Sequence, residues 1–167
     1  MKYEIINMKS SDWEQVKSIY IEGIKTGIAT FQSEFDLPTW EEWNKNHISS
    51  CRLAASQNNE ILGWAALSPT SNRFVYNGVA EVSIYIKKEY KNQGIGTELL
   101  NNLVKVSENN GFWTLQSGII RENTASIELH EKCGFRVVGI REKVGKMNSG
   151  IWHDVVLMER RSKVVEL

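Results

Sequence analysis

Along this chain the apolar positions change period several times, and each change marks an element. Residues 3–6 form a short apolar run that predicts a strand. Ser11-Asp12-Trp13-Glu14 fits a capping box, in which a Ser hydroxyl accepts from the free N–H groups and Glu lies three residues on. Val16, Ile19, Tyr20 and Ile24 follow at helical spacing. Thr39-Trp40-Glu41-Glu42, just after Pro38, repeats the signal for a second helix ending near Ser49. The apolar runs 53–56 and 61–67, separated by Gln57-Asn58-Asn59-Glu60, read as a hairpin, and the polar stretch 68–78 as a loop. Residues 79–86 give the clearest strand: Val82, Ile84 and Ile86 share one face, and Glu81, Ser83 and Tyr85 share the other. Ile95, Leu99, Leu100, Leu103, Val104 and Ser107 then restore the helical period, and Asn110-Gly111 is a good stop. A strand at 114–120, a helix at 123–132 with Asn123 as N-cap, and strands at 135–144 and 152–159 around the polar turn 146–150 complete the pattern.

This order, β-α-α-β-β-β-α-β-α-β-β, predicts an α+β or α/β fold with one mixed sheet and helices packed on it. Two prolines and no Gly/Ser-rich linker leave residues 1–167 as a single domain. Composition narrows the function. The 20 Lys and Arg balance the 20 Asp and Glu, so nothing favours a nucleic-acid partner. With 41% hydrophobic residues a packed core is expected rather than disorder. No run approaches the ~20 apolar residues of a spanning helix, and the N-terminus lacks an apolar signal region; the expectation is a soluble, cytoplasmic protein without a membrane partner. Cys51 and Cys133 make no disulfide framework, and Cys133 reads as a small buried residue rather than a nucleophile. His47, His130 and His153 lack metal-ligand spacing, so no metal is expected. Trp40, Trp43 and Trp64 read as core or interface.

The informative segment is the strand, glycine turn and helix at 79–110. Gly94 and Gly96 sit at a helix entrance, where glycine allows close backbone approach and the first turn offers unpaired N–H groups with a partial positive charge. That suits a phosphate or pyrophosphate, although such a turn also serves simply to pack a helix on a sheet. No Gly-Lys-Ser/Thr follows, and Leu99 occupies the third glycine position of a dinucleotide fingerprint, so neither motif applies. About thirty residues on lies the second segment, Asn123-Thr124-Ala125-Ser126-Ile127-Glu128-Leu129-His130-Glu131-Lys132-Cys133-Gly134-Phe135.

The two segments in this order resemble the GNAT superfamily of acyl-CoA-dependent N-acetyltransferases. Within it the chain looks most like the phosphinothricin N-acetyltransferase group. The matching stretches are Ile19-Tyr20 with Ala29-Thr30-Phe31, Ala80-Glu81-Val82-Ser83-Ile84-Tyr85-Ile86, Leu129-His130-Glu131, and Gly150-Ile151-Trp152-His153-Asp154-Val155. Lys91 stands where the Gly motif usually opens with Gln or Arg, and the stretch from Gly145 to Trp152 carries an extra residue.

The resemblance implies a GNAT fold, with a central mixed, mostly antiparallel twisted sheet of about seven strands flanked by about four helices. It implies acetyl-CoA as acetyl donor, no metal, a homodimer whose site borrows residues from the partner, and an amine acceptor such as the α-amine of phosphinothricin, methionine sulfoximine or methionine sulfone. The pyrophosphate maps onto Lys91, Asn92, Gln93, Gly94, Ile95, Gly96 and Thr97. The pantetheine runs beside the backbone of Ile84, Tyr85 and Ile86, and Asn123 and Ser126 finish the cofactor site. Glu81 is the implied general base, acting directly or through a water, since a carboxylate needs a raised pKa or a water relay near neutral pH. His130, with Tyr85 as the alternative acid, serves the leaving thiolate or positions water. Phe31, the Arg73-Phe74-Val75-Tyr76 loop and the turn from Lys146 border the acceptor, with Arg73 or Lys146 pairing its carboxylate. Two alternatives stand beside this reading: another amine, such as a polyamine or peptide N-terminus, and a non-catalytic acyl-CoA-binding protein.

Overall fold

The computed structural model of the protein describes residues 2–166. In chain order the elements are β1 (Glu4–Asn7), α1 (Trp13–Lys25), α2 (Trp40–Asn46), β2 (Arg52–Gln57), β3 (Glu60–Pro69), β4 (Val79–Ile86), α3 (Ile95–Asn109), β5 (Thr114–Ile120), α4 (Thr124–Lys132), β6 (Arg136–Lys146) and β7 (Trp152–Arg161). The strands form one seven-stranded sheet in the order β1-β2-β3-β4-β5-β7-β6. Every neighbouring pair is antiparallel except β4 with β5. The mixed, mostly antiparallel sheet with four helices is therefore what the sequence implied.

The alternation along β4 assigns the two faces. Ala80 and Val82 join Leu99, Leu100 and Leu103 of α3, with Leu115, Val156 and Met158, in one core. On the other face Trp64 and Ala66 of β3 and Ala54 of β2 pack against Trp13, Val16 and Ile19 of α1 and Trp43 of α2. Leu99 and Leu103 are 0% exposed, so truncating either to Ala costs about 2–5 kcal/mol. Trp43 and Trp64 are core residues and Trp40 packs half-buried against them, in line with the core-or-interface expectation, and Arg52 lies with its guanidinium over the Trp43 ring.

Local details depart from expectation where short-range chemistry competes. Ser11 does not cap α1, because residues Ser10–Asp12 form a 3-10 turn and Ser11 falls inside it. The Asp12 carboxylate instead accepts the Lys9 N–H at 2.8 Å. Thr39 and Glu42 do make the reciprocal capping box of α2. That helix stops at Asn46 rather than near Ser49, because His47 turns extended. The predicted break at 57–60 is only two residues long: Asn58 and Asn59 both take left-handed φ, and Gln57 pairs with Glu60. Two such residues make the turn whose twist matches a hairpin. The last hairpin runs two residues further than expected, since Gly145 and Lys146 pair with His153 and Trp152.

Candidate active site

The site begins where the sheet opens. β4 pairs with β5 through only Val79, Ala80 and Glu81, opposite Thr114, Leu115 and Gln116. Beyond Glu81, β4 keeps only β3 as its neighbour. The Lys87 N–H donates to the Leu62 carbonyl, on the β3 side. Backbone groups of a strand alternate sides, so the N–H and C=O of Ile84 and Ile86 face the gap that β5 leaves. The backbone of Tyr85 points to β3 instead; only its side chain reaches the site. Such a free strand edge hydrogen-bonds an extended ligand as another strand would.

α3 and α4 begin beside that gap. Gly94, the N-cap of α3, has φ +84°, a left-handed conformation that glycine adopts without penalty. It offers no capping side chain, so first-turn N–H groups stay free for an anion. At α4 the Asn123 side chain accepts the Ser126 N–H at 3.3 Å. A cleft of about 410 Å³ lies between the helix entrances, lined by Ile84, Tyr85, Ile86, Lys91, Asn92, Gly94, Ile95, Gly96, Thr97, Asn123 and Ser126. Eleven of the twelve residues that the sequence assigned to the cofactor thus come together. Gln93 does not line the cleft; its side-chain amide donates to the Glu89 carbonyl at 3.1 Å. Tyr90, Glu128 and Lys132 also line it, and Gly23 and Ala29 approach from α1 and its loop. Lys132, one α-helical turn beyond Glu128 on α4, is a lining residue that the sequence reading did not single out. Together with Lys91 it gives the cleft two positive side chains besides the helix ends.

Glu81 is exposed, at the last residue pair before the strands part, and its carboxylate accepts from Gln116 at 3.5 Å. Ser83 and Tyr85 follow on the same face. Tyr85 stacks on Trp64, with ring centroids 5.0 Å apart, and meets Tyr20 edge-on. Burial, then the neighbouring Tyr20, raises its pKa far above the ordinary value, so it keeps its proton. His130 is only 1% exposed and does not line the cleft. Its Nδ1 lies 2.7 Å from the Ser126 carbonyl, which fixes Nδ1 as the donor. Nε2 is buried without a partner among the described residues. Burial lowers the imidazole pKa, so the ring is neutral near pH 7 and Nε2 carries a lone pair rather than a proton. In this state it accepts a proton or a water hydrogen; it has none to give from Nε2.

The acceptor-side candidates divide. Phe31, in the connection from α1 to α2, reaches the last hairpin, where its ring meets His153 edge-on at 6.2 Å. A Cβ on Gly145, opposite His153, would come within 2.2 Å of the Phe31 ring, so glycine there lets the two segments interlock. His153 is held through Nδ1 by Glu122, 3.1 Å away and next to the α4 cap. Lys146 lies over the Trp152 ring and Arg73 over the Tyr76 ring. Neither cation is in an ion pair among the described residues. Phe74, Val75 and Tyr76 are exposed, Phe74 by 85%. His153 and Glu122 were missed as a pair because they lie 31 residues apart and meet only through the β5-β7 register.

Among the described residues no group of three or more His, Cys, Asp or Glu could hold a metal ion, and no helix is long and apolar enough to cross a membrane. Cys51 and Cys133 are free and buried, and burial pushes both thiols up. Compared with known proteins, residues 13–135 match the model of the acetyltransferase (GNAT) family. The phosphinothricin N-acetyltransferase of Alcaligenes faecalis is 29% identical over 160 residues, 92% of this chain and 79% of that one. The L-methionine sulfoximine/L-methionine sulfone acetyltransferase of Pseudomonas aeruginosa is 29% identical over 107 residues, 64% of this chain and 62% of that relative. A GNAT superfamily phosphinothricin acetyltransferase from Sinorhizobium meliloti, solved with acetyl-CoA, superposes with a TM-score of 0.84. It is 27% identical, over 99% of this chain and 95% of that one.

Proposed function

Because this chain belongs to the GNAT family of acetyltransferases and acetyl-CoA is its co-substrate, we propose that it acetylates the α-amine of a small amino acid by direct transfer, with Glu81 as general base. Phosphinothricin, methionine sulfoximine and methionine sulfone are the model acceptors, after the names of its relatives. The observation that carries the reading is the parting of β4 and β5 just past Glu81. It leaves a free strand edge for the donor and sets a carboxylate at the mouth of the same gap.

The chemistry follows from this placement. Glu81 takes one proton from the acceptor ammonium, directly or through a water, which frees the nitrogen lone pair for the thioester carbon. The N–H groups facing the gap, from Ile84 and Ile86, donate to the oxygen on which charge develops. The new C–N bond forms as the C–S bond breaks, and the surplus proton on the nitrogen passes through water to the leaving thiolate, which gives the neutral amide and CoA thiol. His130, neutral and bare at Nε2, is an acceptor for a water and not the acid. The Tyr85 hydroxyl, its pKa raised by burial, keeps its proton and offers the sulfur a hydrogen bond rather than a proton. Arg73 and Lys146, in no ion pair among the described residues, are cations available to an amino-acid carboxylate. Exposed Phe74, Val75, Ile151 and Trp152 favour a homodimer that covers the acceptor side.

Release of CoA thiol from acetyl-CoA, followed with the three amino acids, a polyamine and a peptide with a free N-terminus, tests the reading. Turnover confined to the amino acids is expected. Turnover of the polyamine or peptide alone would transfer the site to that amine, and CoA binding with no turnover of any acceptor would make the protein a binder.

A further inference from the structure

The connection from β4 to α3, residues 87–94, supplies Tyr90, Lys91, Asn92 and Gly94 to the lining of the cofactor cleft. Its backbone is not relaxed. Asn92 has φ +60° and Gly94 φ +84°, so two of three consecutive residues are left-handed. A residue with a side chain keeps such a conformation only where its surroundings fix it. Here the fixing groups come from outside the loop. The Glu22 carboxylate of α1 accepts the Lys88 N–H at 2.8 Å, where the 3-10 turn Lys88–Tyr90 begins. Glu60, the first residue of β3, pairs with the Lys87 ammonium and accepts the Tyr90 hydroxyl at 3.2 Å. Glu89 takes the other side of Lys87 at 2.7 Å, and the ammonium lies 5.7 Å from the centroid of the Tyr90 ring. A single exposed ion pair is worth little, but these groups lock one another and two distant elements to the loop.

The same end of α1 also backs the inner wall of the cleft. A Cβ on Gly23 would come within 2.6 Å of the Tyr85 ring, and Tyr85 separates the cofactor cleft from a second cavity of about 400 Å³ beneath the α1-α2 connection, lined by Gln32, Trp64 and Ser83 among others. The charge of the two anchoring glutamates has the wrong sign for a donor site. A CoA thioester is a polyanion, and carboxylates near its phosphates oppose binding through space. Hydrogen bonding to Lys87 holds the Glu60 carboxyl below the usual carboxylate range, so it is ionised near neutral pH. Lys87 does not offset it toward the donor, because its ammonium is taken by Glu60 and Glu89 and it does not line the cleft. What these carboxylates can give the donor is therefore the position of the loop and not attraction.

We propose that Glu22 and Glu60 are positioning residues of the acetyl-CoA site: they hold the β4-α3 connection in the shape that presents the first-turn N–H groups of α3 to the donor's phosphates, and they tighten donor binding in spite of their charge. The inference rests on the reading that residues 91–97 receive those phosphates, and goes beyond it in naming two residues outside the cleft that the site depends on.

The test is the acetyl-CoA dissociation constant by calorimetry, beside kcat and KM for L-methionine sulfone, in the wild type, Glu22→Ala, Glu22→Gln, Glu60→Ala, Glu60→Gln and Gly94→Ala. Each alanine variant is expected to weaken acetyl-CoA about fivefold, the scale of one charge-assisted hydrogen bond partly screened by solvent, with kcat and the acceptor KM unchanged. Glu22→Gln keeps an oxygen for the Lys88 N–H and should bind as the wild type does. Glu60→Gln loses the charge that holds Lys87 and should bind as weakly as Glu60→Ala. Charge acting through space alone has the opposite sign and tightens binding in every neutralised variant. Binding that tightens or stays unmoved in the alanine variants overturns the proposal, and Glu60→Gln decides in the same way if Glu60→Ala does not fold. A Glu22→Gln variant as weak as Glu22→Ala overturns the part given to the Lys88 hydrogen bond. If Gly94→Ala alone weakens the donor, the phosphate reading stands without the two glutamates; if no variant weakens it, both fall.

Discussion

The cofactor cleft and the cavity beneath the α1-α2 connection share Tyr85 as a wall, yet they are made of different parts. Backbone builds the first: a free strand edge at Ile84 and Ile86, and two helix entrances at Gly94 and Asn123. Side chains build the second, drawn from α1, a loop, α2, β3 and β4. A backbone site tolerates changes of side chain as long as the chain keeps its path. A side-chain site changes its preference with one substitution.

The comparison can be broken from either side. The larger effect is expected on the donor side. Gly94→Ala puts a Cβ on a left-handed residue, a strain of about 1–2 kcal/mol, and moves the α3 entrance. Acetyl-CoA binding should weaken about tenfold while the acceptor KM stays unchanged, as calorimetry and steady-state kinetics would show. A shift of both constants by the same factor would mean that the halves are not separable.

On the acceptor side, Gly145→Ala drives a methyl into the Phe31 ring and displaces it. The acceptor KM should rise about fivefold with the acetyl-CoA KM unchanged, the scale of one lost packing contact. Adding Phe31→Ala to Gly145→Ala should cost little more, because the two changes remove the same contact. Additive losses would show that Gly145 acts elsewhere.

The smallest effect concerns stability rather than rate. His47 and His130 have folded pKa values lowered by burial. The unfolded chain therefore binds more protons between those lowered values and the ordinary value of about 6.5, and stability falls as pH drops through that window. For a single histidine the slope reaches at most about 1.4 kcal/mol per pH unit. Thermal unfolding should be flat above about pH 7 and fall below about 6.5, and His47→Gln with His130→Gln should flatten that fall. An unchanged slope in the double variant would contradict this assignment, because carboxylates held low, such as Asp154 beside the Lys143 N–H and Arg121, cost stability only as pH falls through about 4 and below.

How much of this was legible in the sequence follows the same division. The strands at 79–86 and 114–120 have the boundaries that their alternation predicted, and the α3 stripe from Ile95 to Ser107 is the buried face. Backbone chemistry leaves strong local signals, namely a glycine pair at a helix entrance and an Asn before a short helix. The second cavity left none, because Gln32, Trp64 and Ser83 are neighbours only after three strands and two helices have packed. His130 was legible as a residue but not as a state. Its spacing placed it on α4, whereas the Ser126 carbonyl and its burial decide that it is neutral and bare at Nε2.

The central claim is that one half of the site holds the donor while Glu81 prepares the amine. The direct measurement is the acetyl-CoA dissociation constant beside kcat for L-methionine sulfone, in the wild type and Glu81→Gln at neutral pH. The predicted result is a dissociation constant within about twofold of the wild type and a kcat lowered about 100-fold or more, the range of a lost general base. A kcat that stays near the wild-type value, or a fall matched by equally weakened acetyl-CoA binding, would contradict it.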